Sequence, residues 1–204
     1  MRRSCAICRG ENTPENVQII IDEATRLSTL VNDVLDLSKL QAGVVPMQCS
    51  VFNLTASVRQ ILTRYTKLTD YHIVFYASED VYVHADELKI SQVVYNLVNN
   101  ALTYTGPDKS VTLRQTVEDE KVRISVSDTG DGIPQDKLND IWERYYKVDK
   151  AHKRAQVGTG LGLAIVKMIL DMHGGEYGVR SQEGVGSTFW FELGTVSEEK
   201  ASEE

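Results

Sequence analysis

The sequence predicts an α+β fold in which one long, bundle-type helix precedes a two-layer α/β sandwich. Three observations carry that reading. Apolar residues recur in steps of three and four between Val17 and Leu40, as in the seam of a coiled coil or four-helix bundle. Farther on, short runs alternate apolar with polar residues, which is the period of strands with one face in a core. Their order, strands followed by helices rather than regular β-α-β repeats, gathers the helices on one side of a sheet. With 204 residues, 42% of them hydrophobic, the chain can bury one good core and carry an appendage.

The first element is a helix from Thr13 or Pro14 to about Gly43. Val17, Ile20, Ala24, Leu27, Val31, Val34 and Ser38 form its seam, and Ile21, Leu30, Leu35, Leu37 and Leu40 widen the stripe beyond a two-stranded contact. Met47 to Leu54 reads as a strand and Thr55 to Leu68 as a helix with Val58, Ile61, Leu62 and Tyr65 on one side. Two short strands follow, Ile73 to Ala77 and Val81 to Ala85, joined by a turn at Ser78-Glu79-Asp80. Asp86 is a good N-cap for the next helix, which turns Val94, Leu97, Val98 and Ala101 toward the sheet. Val111 to Val117 and Lys121 to Ser127 alternate as a hairpin. A short helix is expected from Gln135 to about Tyr145, then a charged stretch without apolar period, then a helix from Leu161 to Met172 stopped at His173-Gly174-Gly175. Tyr177 to Ser181 and Ser187 to Leu193 make a last pair of strands before an acidic tail.

Composition excludes several classes. A net charge of -7 leaves no basic footprint for nucleic acid, so the phosphates of any ligand must be met by local groups. No apolar run approaches the roughly 20 residues of a membrane span, and no signal region follows Met1-Arg2-Arg3-Ser4; the expected location is cytoplasmic. Three cysteines argue against a disulfide framework, and Cys5 and Cys8 lack the second pair of ligands that zinc requires.

Chemistry concentrates in four ordered signals. Asn96 and Asn100 are one helical turn apart, with Tyr104 a turn beyond, and a carboxamide oxygen is a fair ligand for Mg²⁺. Asp128, at a strand end, is an acceptor suited to an exocyclic amino group; Gly130 and Gly132 let the backbone approach a flat base, and Ile133 supplies an apolar wall. Trp142 to Lys147 precedes a polar stretch that reads as a lid. Gly158, Gly160 and Gly162 bare the backbone at a helix N-terminus, where amide groups attract phosphate, although neither the Walker nor the dinucleotide pattern is met.

These segments, Asn96-Leu97-Val98-Asn99-Asn100-Ala101, DTGDGI, WERYYKVD and GTGLGLAI, resemble the N, G1, F and G2 boxes of two-component sensor histidine kinases. The helix with Arg26-Leu27-Ser28 and Ser38-Lys39-Leu40 resembles the second helix of that family's dimerisation and phosphoacceptor hairpin. The resemblance implies a Bergerat ATP-binding fold, with ATP under a mobile lid and Mg²⁺ held by Asn100 with Asn96. It further implies that Asp128 reads adenine, Tyr104 and Ile133 flank it, Gly130 and Gly132 shape its floor, and Gly158, Gly160, Leu161 and Gly162 form the phosphate end. Thr188 would reach adenine through water. The implied partners are ATP, a second copy of the parent kinase through the N-terminal helix, and a response-regulator receiver domain, in a parent free to carry a membrane anchor.

Departures sharpen the expectation. Trp142 and Tyr145 replace the usual F-box phenylalanines and should still pack the base of the lid. Thr103 stands where many members place a phosphate-binding lysine, which shifts charge compensation to Lys147 and Arg154. The phosphoacceptor histidine is not among His72, His84, His152 and His173, so the chain is expected to bind ATP without phosphorylating itself, as a chain that starts after that histidine. The same-fold rivals, an ATPase or a protein serine kinase, need a glutamate base where Asn96 stands; a vestigial ATP-binding dimerisation module is the other alternative. The expected organisation is a disordered or non-native stretch over residues 1–12, the incomplete hairpin over 13–44, the catalytic domain over 45–195 with its lid at about 147–159, and a disordered tail over 196–204.

Overall fold

The computed structural model describes residues 14–42, 46–66, 70–146 and 159–197. Helix α1 spans Pro14–Ala42, as the seam predicts. Its Leu27 and Val31 remain 61% and 53% exposed, whereas Leu37 is 5% exposed within the core of the rest of the molecule. The same helix therefore has an unpartnered apolar stripe and a docked end.

Strand β1, Ser50–Asn53, is half the predicted length. It stops because Asn53 turns into a cap: its Oδ1 accepts from the Ala56 N–H at 2.8 Å, and helix α2, Leu54–Thr66, begins at once. Strands β2, His72–Tyr76, and β3, Tyr82–Ala85, follow as predicted but do not pair with each other. Helix α3, Glu87–Tyr104, starts at Asp86, whose Oδ1 accepts from the Lys89 N–H at 3.1 Å. Strands β4, Ser110–Glu118, and β5, Lys121–Asp128, form the predicted hairpin, with Asp119 and Glu120 at positive φ in its two-residue turn.

The helix expected from Gln135 to Tyr145 does not form. Two single 3₁₀ turns, Gln135–Lys137 and Asp140–Trp142, replace it. Only Ile141 in these turns is buried, so no apolar stripe rewards a continuous helix, and Tyr145 takes φ of 60° to bond elsewhere. Helix α4, Gly162–Met172, and strands β6, Glu176–Gln182, and β7, Gly186–Val196, complete the described elements.

The sheet runs β1-β3-β7-β5-β4-β2, with β6 also on β7. Only β2 and β4 are parallel among the described pairs. Val122, Ile124 and Val126 of β5 and Phe189, Phe191 and Leu193 of β7 bury one face against α2, α3 and α4. On the other face the Arg123 guanidinium lies 4.2 Å from the Trp190 ring centroid and 2.6 Å from the Glu192 carboxylate. This alternation fixes which side of each strand end can reach the helices. No helix among the described residues is long and apolar enough to cross a membrane.

Candidate nucleotide site

Helix α3 contributes its exposed turn. Asn96 and Asn100 are half-buried on the side opposite the core residues Val94, Leu97 and Val98, and Tyr104, 38% exposed, lies at the end of the same row. The Asn96 Nδ2 is fully buried and is the one buried side-chain polar atom without a hydrogen-bond partner among the described residues. A buried donor left unpaired costs about 1–3 kcal/mol, which an acceptor placed beside it would offset. Thr103 offers nothing to that acceptor, because its Oγ1 donates to the Asn99 carbonyl at 2.7 Å.

Strand β5 delivers Asp128, 7% exposed, beyond Val126 on the helix side of the sheet. Its Oδ1 accepts from the Gly130 N–H at 2.9 Å and the Ser187 N–H at 3.3 Å. Burial holds the carboxyl above its ordinary range, and the backbone N–H groups of Gly130, Ser187 and Asp128 itself offset that only in part. The glycines here are demanded by close approach: a Cβ on Gly130 would sit 2.0 Å from the Tyr104 carbonyl oxygen, and one on Gly132, at φ of 72°, would sit 2.1 Å from the Gln182 oxygen. Thr129 then stitches the strand end to the end of α3, donating to Asp108 Oδ1 at 2.5 Å and lying 3.0 Å from the Thr105 hydroxyl. Ile133, partly buried against the core, closes the segment.

Helix α4 presents its N-terminus to the same place. Leu161 is fully buried as its cap residue and gives no side-chain cap to the first N–H groups, in contrast to Asp86 on α3. A Cβ at Gly162 would lie 3.8 Å from the Asn96 Oδ1, in ordinary van der Waals contact, so the bare first turn directly adjoins the orphaned carboxamide. Gly160, at φ of 75°, accepts from the Tyr145 N–H at 2.8 Å, which joins the aromatic segment to the glycine-rich loop. Trp142 packs edge-on against Tyr177 and Phe189 at 4.9 and 6.0 Å between centroids. Tyr145 does not pack as expected: it is 63% exposed, and Tyr146 takes the core-facing role.

The structure thus brings Asn96, Asn100, Tyr104, Asp128, Gly130, Gly132, Ile133, Gly160, Leu161 and Gly162 to the C-terminal half of α3, the end of β5 with the segment after it, and the start of α4. Lys147, Arg154 and Gly158 lie outside the described residues, as does nearly all of the expected lid. Thr188 is not on this side. It shares its face with Ser127, to which it hydrogen-bonds at 2.8 Å, and its neighbour Ser187, buried beside Asp128, occupies the site side. Ser187 has the parity of Phe189, Phe191 and Leu193, the signal in the sequence that could have found it.

Residue contacts also reach this site from α1. The Thr159 hydroxyl donates to Asp33 Oδ2 at 2.7 Å, and Gln92 Nε2 donates to Asp36 Oδ2 at 2.9 Å, both within the turn before the docked Leu37. Burial raises the Asp33 carboxyl above its ordinary range, partly countered by the Thr159 bond and reinforced by the nearby Asp36 charge.

The chemistry of the donor set fits a nucleotide with its cation. The unpaired Asn96 amide and the uncapped α4 N-terminus call for phosphate oxygens, the carboxamide oxygen of Asn100 suits a hard cation, and the buried carboxylate suits a base amino group. Among the described residues no cluster of histidine, cysteine or carboxylate side chains is able to hold a metal by itself.

Comparison with known proteins gives the family of the chain. The sequence model for histidine kinase-, DNA gyrase B- and HSP90-like ATPases matches residues 85–196. The model for the His kinase A phospho-acceptor domain matches residues 1–43. The latter qualifies two expectations: residues 1–12, set apart above as foreign, lie inside the match, and the first helix belongs to an acceptor-domain match although residues 1–43 contain no histidine. The chain is 36% identical to the sensor histidine kinase WalK of Bacillus subtilis over 88% of its own length and 30% of that protein. It spans about a third of the length of the curated relatives it matches. Full-length ShkA in complex with AMPPNP superposes with a TM-score of 0.74 at 29% identity, over 91% of this chain and 40% of that one. The histidine kinase ThkA in complex with the response regulator protein TrrA gives 0.74 at 28% identity, over 95% and 57%.

Proposed function

Because this chain belongs to the histidine kinase-, DNA gyrase B- and HSP90-like ATPase family, we propose that it is the ATP-binding catalytic part of a sensor histidine kinase in two-component signalling. It donates the γ-phosphoryl group of Mg-ATP to a histidine that is not among its own residues. Asn96 carries the reading. Its buried, unpartnered amide asks for an oxygen-rich ligand, and it stands where an ATPase or serine kinase would need a base. An imidazole nucleophile needs no such base at neutral pH, so the residue favours histidine as acceptor.

Each side chain then has a task. Asn100, with Asn96, would hold Mg²⁺ through hard oxygen donors, and the ATP supplies the phosphoryl group. Asp128 in its ionised form accepts from the adenine amino group, between Tyr104 and Ile133, over the bare backbone of Gly130 and Gly132. Gly158, Gly160, Leu161 and Gly162 offer backbone N–H groups to the phosphates, with Lys147 and Arg154 as the counter-charges of the lid over residues 147–159. Ser187 takes the part first given to Thr188, on the strength of its side of the sheet. The exposed stripe of α1, with Leu27 and Val31, supports a homodimer, and the pairing of ThkA with a response regulator supports a receiver domain as a further partner.

Mixing the chain with Mg²⁺, γ-labelled ATP and a separate phosphoacceptor domain tests the assignment. The expected product is an acid-labile, alkali-stable phosphohistidine, reduced at least tenfold by Asp128→Asn. Release of free phosphate without acceptor, or an acid-stable phosphoserine, would establish one of the same-fold rivals instead.

A further inference from the structure

Ser181 lies on β6, outside all four motifs, yet its hydroxyl joins three segments of the pocket wall. Its Oγ accepts from the Ile133 N–H at 2.8 Å. It also donates to the Gly186 carbonyl at 2.9 Å, and it lies 2.9 Å from the Ser187 Oγ. A hydroxyl has one proton and two lone pairs. A carbonyl can only accept, so the single proton of Ser181 goes to Gly186. Ser187 must then donate its own proton to Ser181. That donation turns the Ser187 proton away from the pocket and leaves its lone pairs there, next to Asp128, whose Oδ1 the Ser187 N–H already holds.

We propose that Ser181 is a positioning residue that sets base specificity: by taking the Ser187 proton it makes Ser187 and Asp128 a pair of acceptors, matched to a 6-aminopurine. The proposal rests on reading this pocket as a nucleotide site. A 6-amino group offers two N–H donors, directly or through one water, to these acceptors. A 6-oxopurine presents an acceptor to the same pair and leaves both unpaired or in repulsion. Without the Ser181 hydroxyl, the Ser187 O–H is free to rotate and to donate to a 6-oxo group.

Equilibrium binding of ATP and ITP, each with Mg²⁺, to the full chain and to Ser181→Ala, Ser187→Ala and the double variant tests this. The wild type is expected to prefer ATP. Ser181→Ala is expected to lower that preference about five- to tenfold, mainly by tightening ITP relative to ATP, and to add nothing in the Ser187→Ala background. A merely structural serine weakens both nucleotides by one factor and leaves the ratio where it was; that result overturns the proposal. Should Ser181→Ala fail to fold, Ser187→Ala decides alone: it is expected to lower the preference, and an unchanged ratio overturns the proposal. A wild type that binds neither nucleotide overturns the site reading and this proposal together, whereas a selective wild type with equally selective variants overturns only this one.

Discussion

Asp128 and Asn96 are polar groups that the fold buries at a cost, and each makes a prediction at the scale of a single side chain. Burial holds the Asp128 carboxyl above its ordinary value of 3.8. The unfolded chain ionises it at that ordinary value, so its contribution to stability is fully present below 3.8 and is lost as pH rises through the raised folded value. Nucleotide binding runs the other way, because only the ionised form is a pure acceptor. As pH falls from neutrality, affinity for an ATP analogue should begin to drop at a pH above that of an ordinary aspartate, and the drop should be absent in Asp128→Asn; titration calorimetry across that window measures it. Gly130→Ala is a second residue-scale test. Its Cβ would meet backbone at 2.0 Å, so nucleotide binding should be lost together with about 1–3 kcal/mol or more of stability in denaturant unfolding. Which residue types matter was legible here, but not always which neighbour: Thr188 and Ser187 differ by one position, the alternation of Phe189, Phe191 and Leu193 gives the face of Ser187, and the register of β7 on β5 sets it beside Asp128.

At the scale of elements, period and capping signals were dependable where a long apolar stripe or a capping side chain exists. Helices α1, α3 and α4 and the β4–β5 hairpin fall where pattern places them. Local pattern carries no partner information, so β2 and β3 read as neighbours although they lie in distant parts of the sheet, β2 parallel to β4 and β3 beside β1 and β7. The segment after Pro134 failed for a different reason: without an apolar stripe its backbone bonds stay local, in single 3₁₀ turns, and the Tyr145 N–H goes to Gly160 of the glycine-rich loop. The wide stripe of α1 asked for more than one neighbour, but its polar docking contacts were not legible in sequence, since Asp33 and Asp36 look like a solvated face until Thr159 and Gln92 are placed against them. Leu37→Ala should weaken that docking by about 2–5 kcal/mol, seen as faster amide exchange in α1 with the protection of α3 unchanged. Loss of protection throughout the sandwich would mean that α1 is part of its core rather than docked upon it.

For the whole molecule, α1 divides its surface between two tasks. Leu37 is buried in the core and the two aspartates bond Thr159 and Gln92, while Leu27 and Val31 remain exposed. An apolar stripe of that kind drives association. Sedimentation should show concentration-dependent dimers that Leu27→Glu with Val31→Glu converts to monomers; a monomer throughout would remove α1 as the dimerisation element. The central claim, however, concerns the pocket at the ends of α3, β5 and α4. Calorimetric titration of the chain with AMPPNP and Mg²⁺ tests it most directly. The account predicts saturable, Mg²⁺-dependent binding that Asp128→Asn weakens at least tenfold; no binding, or binding indifferent to that substitution, would contradict it.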